Sequence, residues 1–290
     1  MAERRINPKF NVHERYTMKF ILNPYRFASE SLLLDTYTGA AAAYSLRKLR
    51  TAYTGYCVKV RRASDDATQD IDFVNNVIDT ATLESFCSGT DGFVDRWYDQ
   101  SGNNNNALQS TTSYQPQIVS SGSIFVLNSK PYIKFNVSNV ALNLTSVLNT
   151  SRSADTFSVF SVWLNNNRGC PLGGTAYASI MFWTNFNSIN SFVSDGYYRS
   201  ASVARGNQSL TSTFYNYITT TESLYVNGDS KSLGSLVSLA SVYEMSKIGT
   251  RGTTGGTINN YQQEILFWGS DQSSNRTAIE TNINNFYSIY

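Results

Sequence analysis

A chain of 290 residues with 41% hydrophobic, 13% aromatic and 15% charged residues can bury a large core, and this composition excludes both a disordered chain and a coiled coil. Its polarity comes from Asn, Ser, Thr and Tyr, and a formal net charge of +2 is too small to hold nucleic acid through counterion release. His13 is the single histidine, which excludes Ser-His-Asp, Cys-His and His-ligated zinc chemistry and leaves no metal or cofactor expected.

The first segment differs from the rest. Arg4, Arg5, Lys9, Arg15, Lys19 and Arg26 face only Glu3, Glu14 and Glu30, and no apolar period of 2 or 3.6 is sustained. Residues 1–35 read as an arm, either docked on a neighbouring subunit or a solvated leader, and residues 36–290 as the folded domain. No window of about 18 apolar residues occurs, and residues 1–30 lack an apolar stretch before a small-residue cleavage site, so neither membrane insertion nor a Sec-type signal is expected. Cys57, Cys87 and Cys170 leave an odd thiol in any pairing, consistent with reduced cysteines, a structural disulfide being the alternative.

Along the chain, AAAAYSLRKLRTAY predicts a helix over 40–51 from its strong helix formers and the spacing of Ala43, Leu46, Leu49 and Tyr53. Tyr56 to Arg62 reads as a strand with Lys59 and Arg61 on one face and Val58 and Val60 on the other, its cations balanced by carboxylates among Asp65, Asp66, Asp70 and Asp72. A short helix begins at the cap Asp79, with Leu83, Phe86 and Cys87 on one side. Strands follow at 93–98, 132–137, 157–164, 176–183, 222–226 and 262–268. Asn227-Gly228 supplies a type I′ hairpin turn, and a last helix carries Ile279, Ile283, Phe286 and Tyr287 as one apolar stripe. The sum is an all-β, antiparallel β-sandwich with a few short peripheral helices.

In YDQSG, residues Asp99, Gln100, Ser101 and Gly102 make a stiff turn in which Asp99 and Ser101 accept backbone N–H groups; a metal or sugar contact by Asp99 is the sharper alternative. Two blocks, AYTGYCVKVRRASDDATQDI from Ala52 and FCSGTDGFVDRWYDQSGNNNNALQ from Phe86, stand in an order and spacing that resemble the catalytic domain of the fungal α-L-arabinofuranosidase B family of glycoside hydrolases. Beyond Gln109 the likeness thins to a Lys-Ile-Gly strand at 247–249, a glycine-rich stretch, Glu264 and the terminal helix. The resemblance implies a concanavalin-like jelly roll and a catalytic pair: a Glu in the middle of the sequence and an Asp in the glycine-rich stretch.

That stretch here holds no Asp or Glu from Met245 to Gln263, and Asp195 is the single carboxylate from Phe160 to Thr221. The family's short-loop disulfide is also broken, because the position that would pair with Cys87 is Gly92. The sequence reading is therefore a hydrolase scaffold without its acids: a non-enzymatic bacteriophage virion protein, such as a capsid fibre, decoration or tail appendage. It would sit on the virion surface after synthesis in the host cytoplasm. The arm residues Arg4, Arg5, Lys9 and Arg15 would dock it on other virion proteins, and it would form a homo-oligomer. Trp183, Asp195, Tyr197, Tyr198 and Trp268 would contact a host-surface glycan. The alternatives are a carbohydrate-binding module and an active arabinofuranosidase using Asp195 and Glu264.

Overall fold

Strands in which every second residue is apolar bury one face and leave the other to solvent. Val58, Val60, Val94, Trp97, Leu142 and Ile248 obey this rule and fill the space between two sheets. The computed structural model describes residues 31–136, 139–151, 156–165, 170–174, 181–185, 188–194, 197–202, 206–216, 219, 221–233, 242–250 and 259–290, with Ser31–Tyr290 as one compact unit.

Gly92–Trp97 is the hub of the first sheet. It pairs with Val58–Arg62, Ala107–Leu108 and Gln117–Ser120; the path continues through Leu142–Ser151 and Val242–Gly249 to Cys170–Gly173. The second sheet centres on Asn260–Trp268. One side of that strand takes Thr156–Asn165, followed by Gln208–Asn216 and Thr221–Val226, and the other takes Ala40–Ser45 and Ile133–Phe135. Ile133–Phe135 also pairs with Gln117–Ser120, so the two sheets are joined by hydrogen bonds at one seam. All these pairings are antiparallel, and the expected β-sandwich stands.

The second sheet buries both faces. Its inner face meets the first sheet through Val159, Trp163, Ile265 and Phe267. Its outer face carries Phe160, Val162, Phe214, Leu266 and Trp268, covered by helices α1 (Leu33–Thr36) and α3 (Arg276–Tyr287) through Leu33, Leu34, Ile279, Ile283 and Tyr287. Trp268 and Phe214 each meet the Phe160 ring edge-on, with centroids 5.6 Å away.

Ala40–Ser45 is a strand, which corrects the predicted helix over 40–51. Covered on both faces and pinned beside Asn260–Trp268, this segment gains more from ladder hydrogen bonds and burial than from the tenths of a kcal/mol that alanine contributes to a helix. The expected helix start at Asp79 and the Asn227-Gly228 turn are both present. Helix α2 (Thr80–Phe86) begins at Asp79, whose carboxylate accepts from the Thr82 amide at 3.0 Å and the Thr82 hydroxyl at 2.6 Å. Those two bonds hold the Asp79 pKa below the ordinary carboxylate value. Asn227 and Gly228 have φ of 53° and 82°, as a type I′ turn requires. Of the strand expected at 176–183, residues 181–183 lie in the strand Met181–Asn185, and residues 176–180 lie outside the described residues.

Cys57, Cys87 and Cys170 are all buried. A Cβ built on Gly92 would stand 2.7 Å from Cys87 Sγ, the separation a bridging cysteine would occupy. Gly92→Cys is therefore expected to crosslink with Cys87 under mild oxidation, read as a loss of two alkylatable thiols by mass spectrometry. An unbridged product would show that Val119, whose Cβ lies 3.1 Å from the same point, holds the site closed.

Candidate functional site

The YDQSG loop faces the strand Ala40–Ser45. Asp99 Oδ1 accepts from the Ala43 amide at 2.9 Å and the Ser101 amide at 2.9 Å, while Oδ2 accepts from the Ser101 hydroxyl at 2.7 Å and the Asn105 amide at 3.0 Å. The Gln100 amide donates to Ala43 O, its Oε1 accepts from the Leu49 amide, and its Nε2 donates to Ser45 O and Arg47 O. Asn103 Nδ2 donates to Ala40 O and Ala41 O. These side chains replace a missing neighbour strand and seal the free edge of Ala40–Ser45. Gly102 takes φ of +100°, and a Cβ there would meet the Arg50 guanidinium at 2.8 Å. Asp99 thus spends its lone pairs on the fold, which supports the structural reading of the motif.

The central strand carries a charged cluster on its outer face. Glu264 is fully buried and receives Arg47 Nε at 2.7 Å on Oε2 and Arg47 Nη2 at 2.9 Å on Oε1. Ser45 Oγ at 2.7 Å and Tyr287 Oη at 3.2 Å complete its shell. Burial works against the Arg47 charge, yet Glu264 beside it holds the Arg47 pKa above its ordinary value. Burial, with Glu264 adding to it, pushes the Tyr287 hydroxyl well above the usual range. A carboxylate held this way cannot reach an anomeric carbon, so Glu264 is a structural anchor and not one of a catalytic pair.

The N-terminal part of the same strand is lined by amides. Asn260 Nδ2 donates to Gly249 O at 3.1 Å, and Gln262 Nε2 donates to Asn260 Oδ1 at 2.6 Å. Gln262 stands in register with Trp163, and Gly249 with Cys170; the side chains of Trp163, Cys170, Asn260 and Gln262 are all buried. Gln262 Oε1 is a buried acceptor without a hydrogen-bond partner. Gly249 has φ of +96°, and a Cβ there would strike the Phe135 ring at 2.1 Å. Trp163 Nε1 donates to Thr211 Oγ1 at 3.3 Å, so these amides and the indole belong to the interior of the sandwich.

Of the residues chosen from sequence as glycan contacts, Trp268 is corrected: it is fully buried and donates from Nε1 to Thr38 O at 3.1 Å, so neither ring face is open for stacking. The side chains of Trp183, Tyr197 and Tyr198 and the whole of Asp195 lie outside the described residues; the backbone around them forms a three-stranded antiparallel sheet of Met181–Asn185, Ser188–Ser194 and Tyr197–Ser202. Arg4, Arg5, Lys9 and Arg15 also lie outside the described residues. Among the described residues no group of three His, Cys, Asp or Glu is placed to hold a metal, and no helix is long and apolar enough to cross a membrane. Sequence reasoning missed Arg47, Asn260, Gln262 and Tyr287; the run NNYQQE inside an otherwise apolar strand was the available signal.

Comparison with known proteins bears on this geometry. Residues 34–128 match the family model of the catalytic domain of α-L-arabinofuranosidase B. A probable α-L-arabinofuranosidase B of Aspergillus flavus is 43% identical over 75 residues, which is 25% of this chain and 15% of that protein. An α-L-arabinofuranosidase of Hypocrea jecorina is 40% identical over 74 residues, again 25% and 15% of the two chains. A GH54 α-L-arabinofuranosidase mutant soaked with 4-nitrophenyl α-L-arabinofuranoside superposes with a TM-score of 0.60 at 16% identity, covering 87% of this chain and 64% of that one. An arabinofuranosidase complexed with arabinofuranosyl-α-1,2-xylobiose gives 0.58 at the same identity and coverage. The matched stretch spans only a small part of the curated relatives, and just under two thirds of the solved ones.

The chain therefore contains an arabinofuranosidase-B-catalytic-domain-like module. These findings overturn the virion reading together with its non-enzymatic conclusion and its virion-surface location: the curated proteins that match the sequence blocks are fungal α-L-arabinofuranosidases, and arabinofuranosidases superpose on the fold.

Proposed function

We propose that this chain is a glycoside hydrolase of the arabinofuranosidase type, which removes arabinofuranosyl units from a saccharide. The observation that carries the reading is the match of residues 34–128 to a catalytic-domain family model.

Glycoside hydrolysis uses two carboxyl groups, about 5–5.5 Å apart for retention and about 6.5–9.5 Å apart for inversion. Asp99 and Glu264 are both consumed by the fold, and Asp195, the single carboxylate from Phe160 to Thr221, is taken as the candidate for one of the two roles. The purified chain is expected to release nitrophenol from 4-nitrophenyl α-L-arabinofuranoside, and Asp195→Asn to lower kcat by about 10²–10⁴-fold. Turnover unchanged by Asp195→Asn removes the assignment, and no release by the unaltered chain removes the function.

A further inference from the structure

The basic strand singled out in the sequence satisfies only part of its charge. Arg61 Nη1 pairs with Asp66 at 2.6 Å and Arg62 with Asp65 at 2.7 Å. Lys59 and Arg96 have no carboxylate within ion-pair distance among the described residues, although their strands are neighbours and the two stand in register. Both point away from the core, because the flanking Val58 and Trp97 are fully buried.

The register extends this position across the first sheet as one outward row. Asp70 stands opposite Lys59, Lys59 opposite Arg96, Arg96 opposite Leu108, Leu108 opposite Asn143, and Asn143 opposite Lys247. Each of these side chains is half-buried. At about 4.8 Å per strand, five steps make a row of about 24 Å. The helices α1 and α3 cover the other sheet, so this face carries its cations uncovered by them.

Aromatic rings flank the row at its charged end. The Tyr56 ring is exposed and lies 6.1 Å from that of Tyr98. Tyr98 Oη donates to Asp70 Oδ1 at 2.6 Å, and the Arg96 guanidinium sits 5.6 Å from the Tyr98 ring centroid. Tyr53 Oη donates to Tyr56 O at 2.8 Å and fixes the turn that presents Tyr56. A rigid ring face beside two cations that lack a carboxylate partner suits a ligand that offers both a sugar ring and a carboxylate.

We infer that this outer face is a saccharide-binding surface and that its ligand is a uronate-bearing polysaccharide laid across the strands. The Tyr56 ring packs against a sugar face while Lys59 and Arg96 pair with a uronate carboxylate. The inference stands independently of the proposed hydrolysis.

Isothermal titration of the full chain with hexagalacturonate tests it, with a neutral arabino-oligosaccharide and oligo(dT) run alongside. Hexagalacturonate is expected to bind and to weaken as salt is raised. The double variant Lys59→Gln/Arg96→Gln is expected to bind about tenfold less tightly or worse, with an unchanged thermal midpoint; Tyr56→Ala is expected to weaken binding as well. Equal affinity for the neutral oligosaccharide, or an unaltered affinity in the double variant, overturns the inference. Oligo(dT) binding as tightly as hexagalacturonate would assign the surface to nucleic acid and overturn it too.

Discussion

Arg47→Ala is expected to destabilise the protein by about 3–5 kcal/mol, because it strands the Glu264 carboxylate in the interior with only Ser45 Oγ and Tyr287 Oη as donors. That is a large share of the roughly 5–15 kcal/mol that separates a folded domain from its unfolded chain. The same guanidinium donates to Asn282 Oδ1 at 2.9 Å and lies 5.0 Å from the Phe286 ring centroid, so its loss also loosens α3. The double substitution Arg47→Met/Glu264→Leu removes both charges and is expected to recover most of the lost stability. Urea midpoints of the two variants decide the matter. A single variant within 1 kcal/mol of the unaltered protein would mean that the pair does not anchor the helix.

Asp99→Ala is expected to cost about 3 kcal/mol or more. It leaves the amides of Ala43, Ser101 and Asn105 without acceptors at the sealed edge of a core strand, and each unsatisfied buried amide costs about 1–3 kcal/mol. Asp99→Asn keeps one oxygen and is expected to cost less. A ligand-binding role for Asp99 would appear differently, as weaker saccharide affinity at an unchanged urea midpoint.

Most of the sandwich was legible because its strands announce themselves by local chemistry. Val58 and Val60 alternate with cations, Asn227-Gly228 permits positive φ at both turn positions, and Asp79 caps a helix through the residue three positions on. These signals depend on immediate neighbours. Ala40–Ser45 was misread because what makes it a strand is remote: Asn260–Trp268 on one edge and the Asp99–Asn103 loop on the other. Trp268 was misread for the complementary reason. An aromatic residue near the end of a strand looks the same in sequence whether a helix covers it or solvent does, and α3 covers it. The two aligned blocks carried the family resemblance, and the step from a missing acid to a missing activity did not survive comparison with the arabinofuranosidases. What the blocks encode is visible in the fold: the YDQSG loop is recognisable because its side chains do a backbone's task.

Ala40 is hydrogen-bonded in register beside Trp268, so one of the first strands of the domain finishes its pairing only with almost the last. On a ribosome, that early segment emerges with an apolar, unzipped margin and waits for nearly the whole chain to be made. The Asp99–Asn105 loop follows much sooner, and its side chains can clasp that margin in the interval, acting as a built-in placeholder against mispairing with other nascent chains.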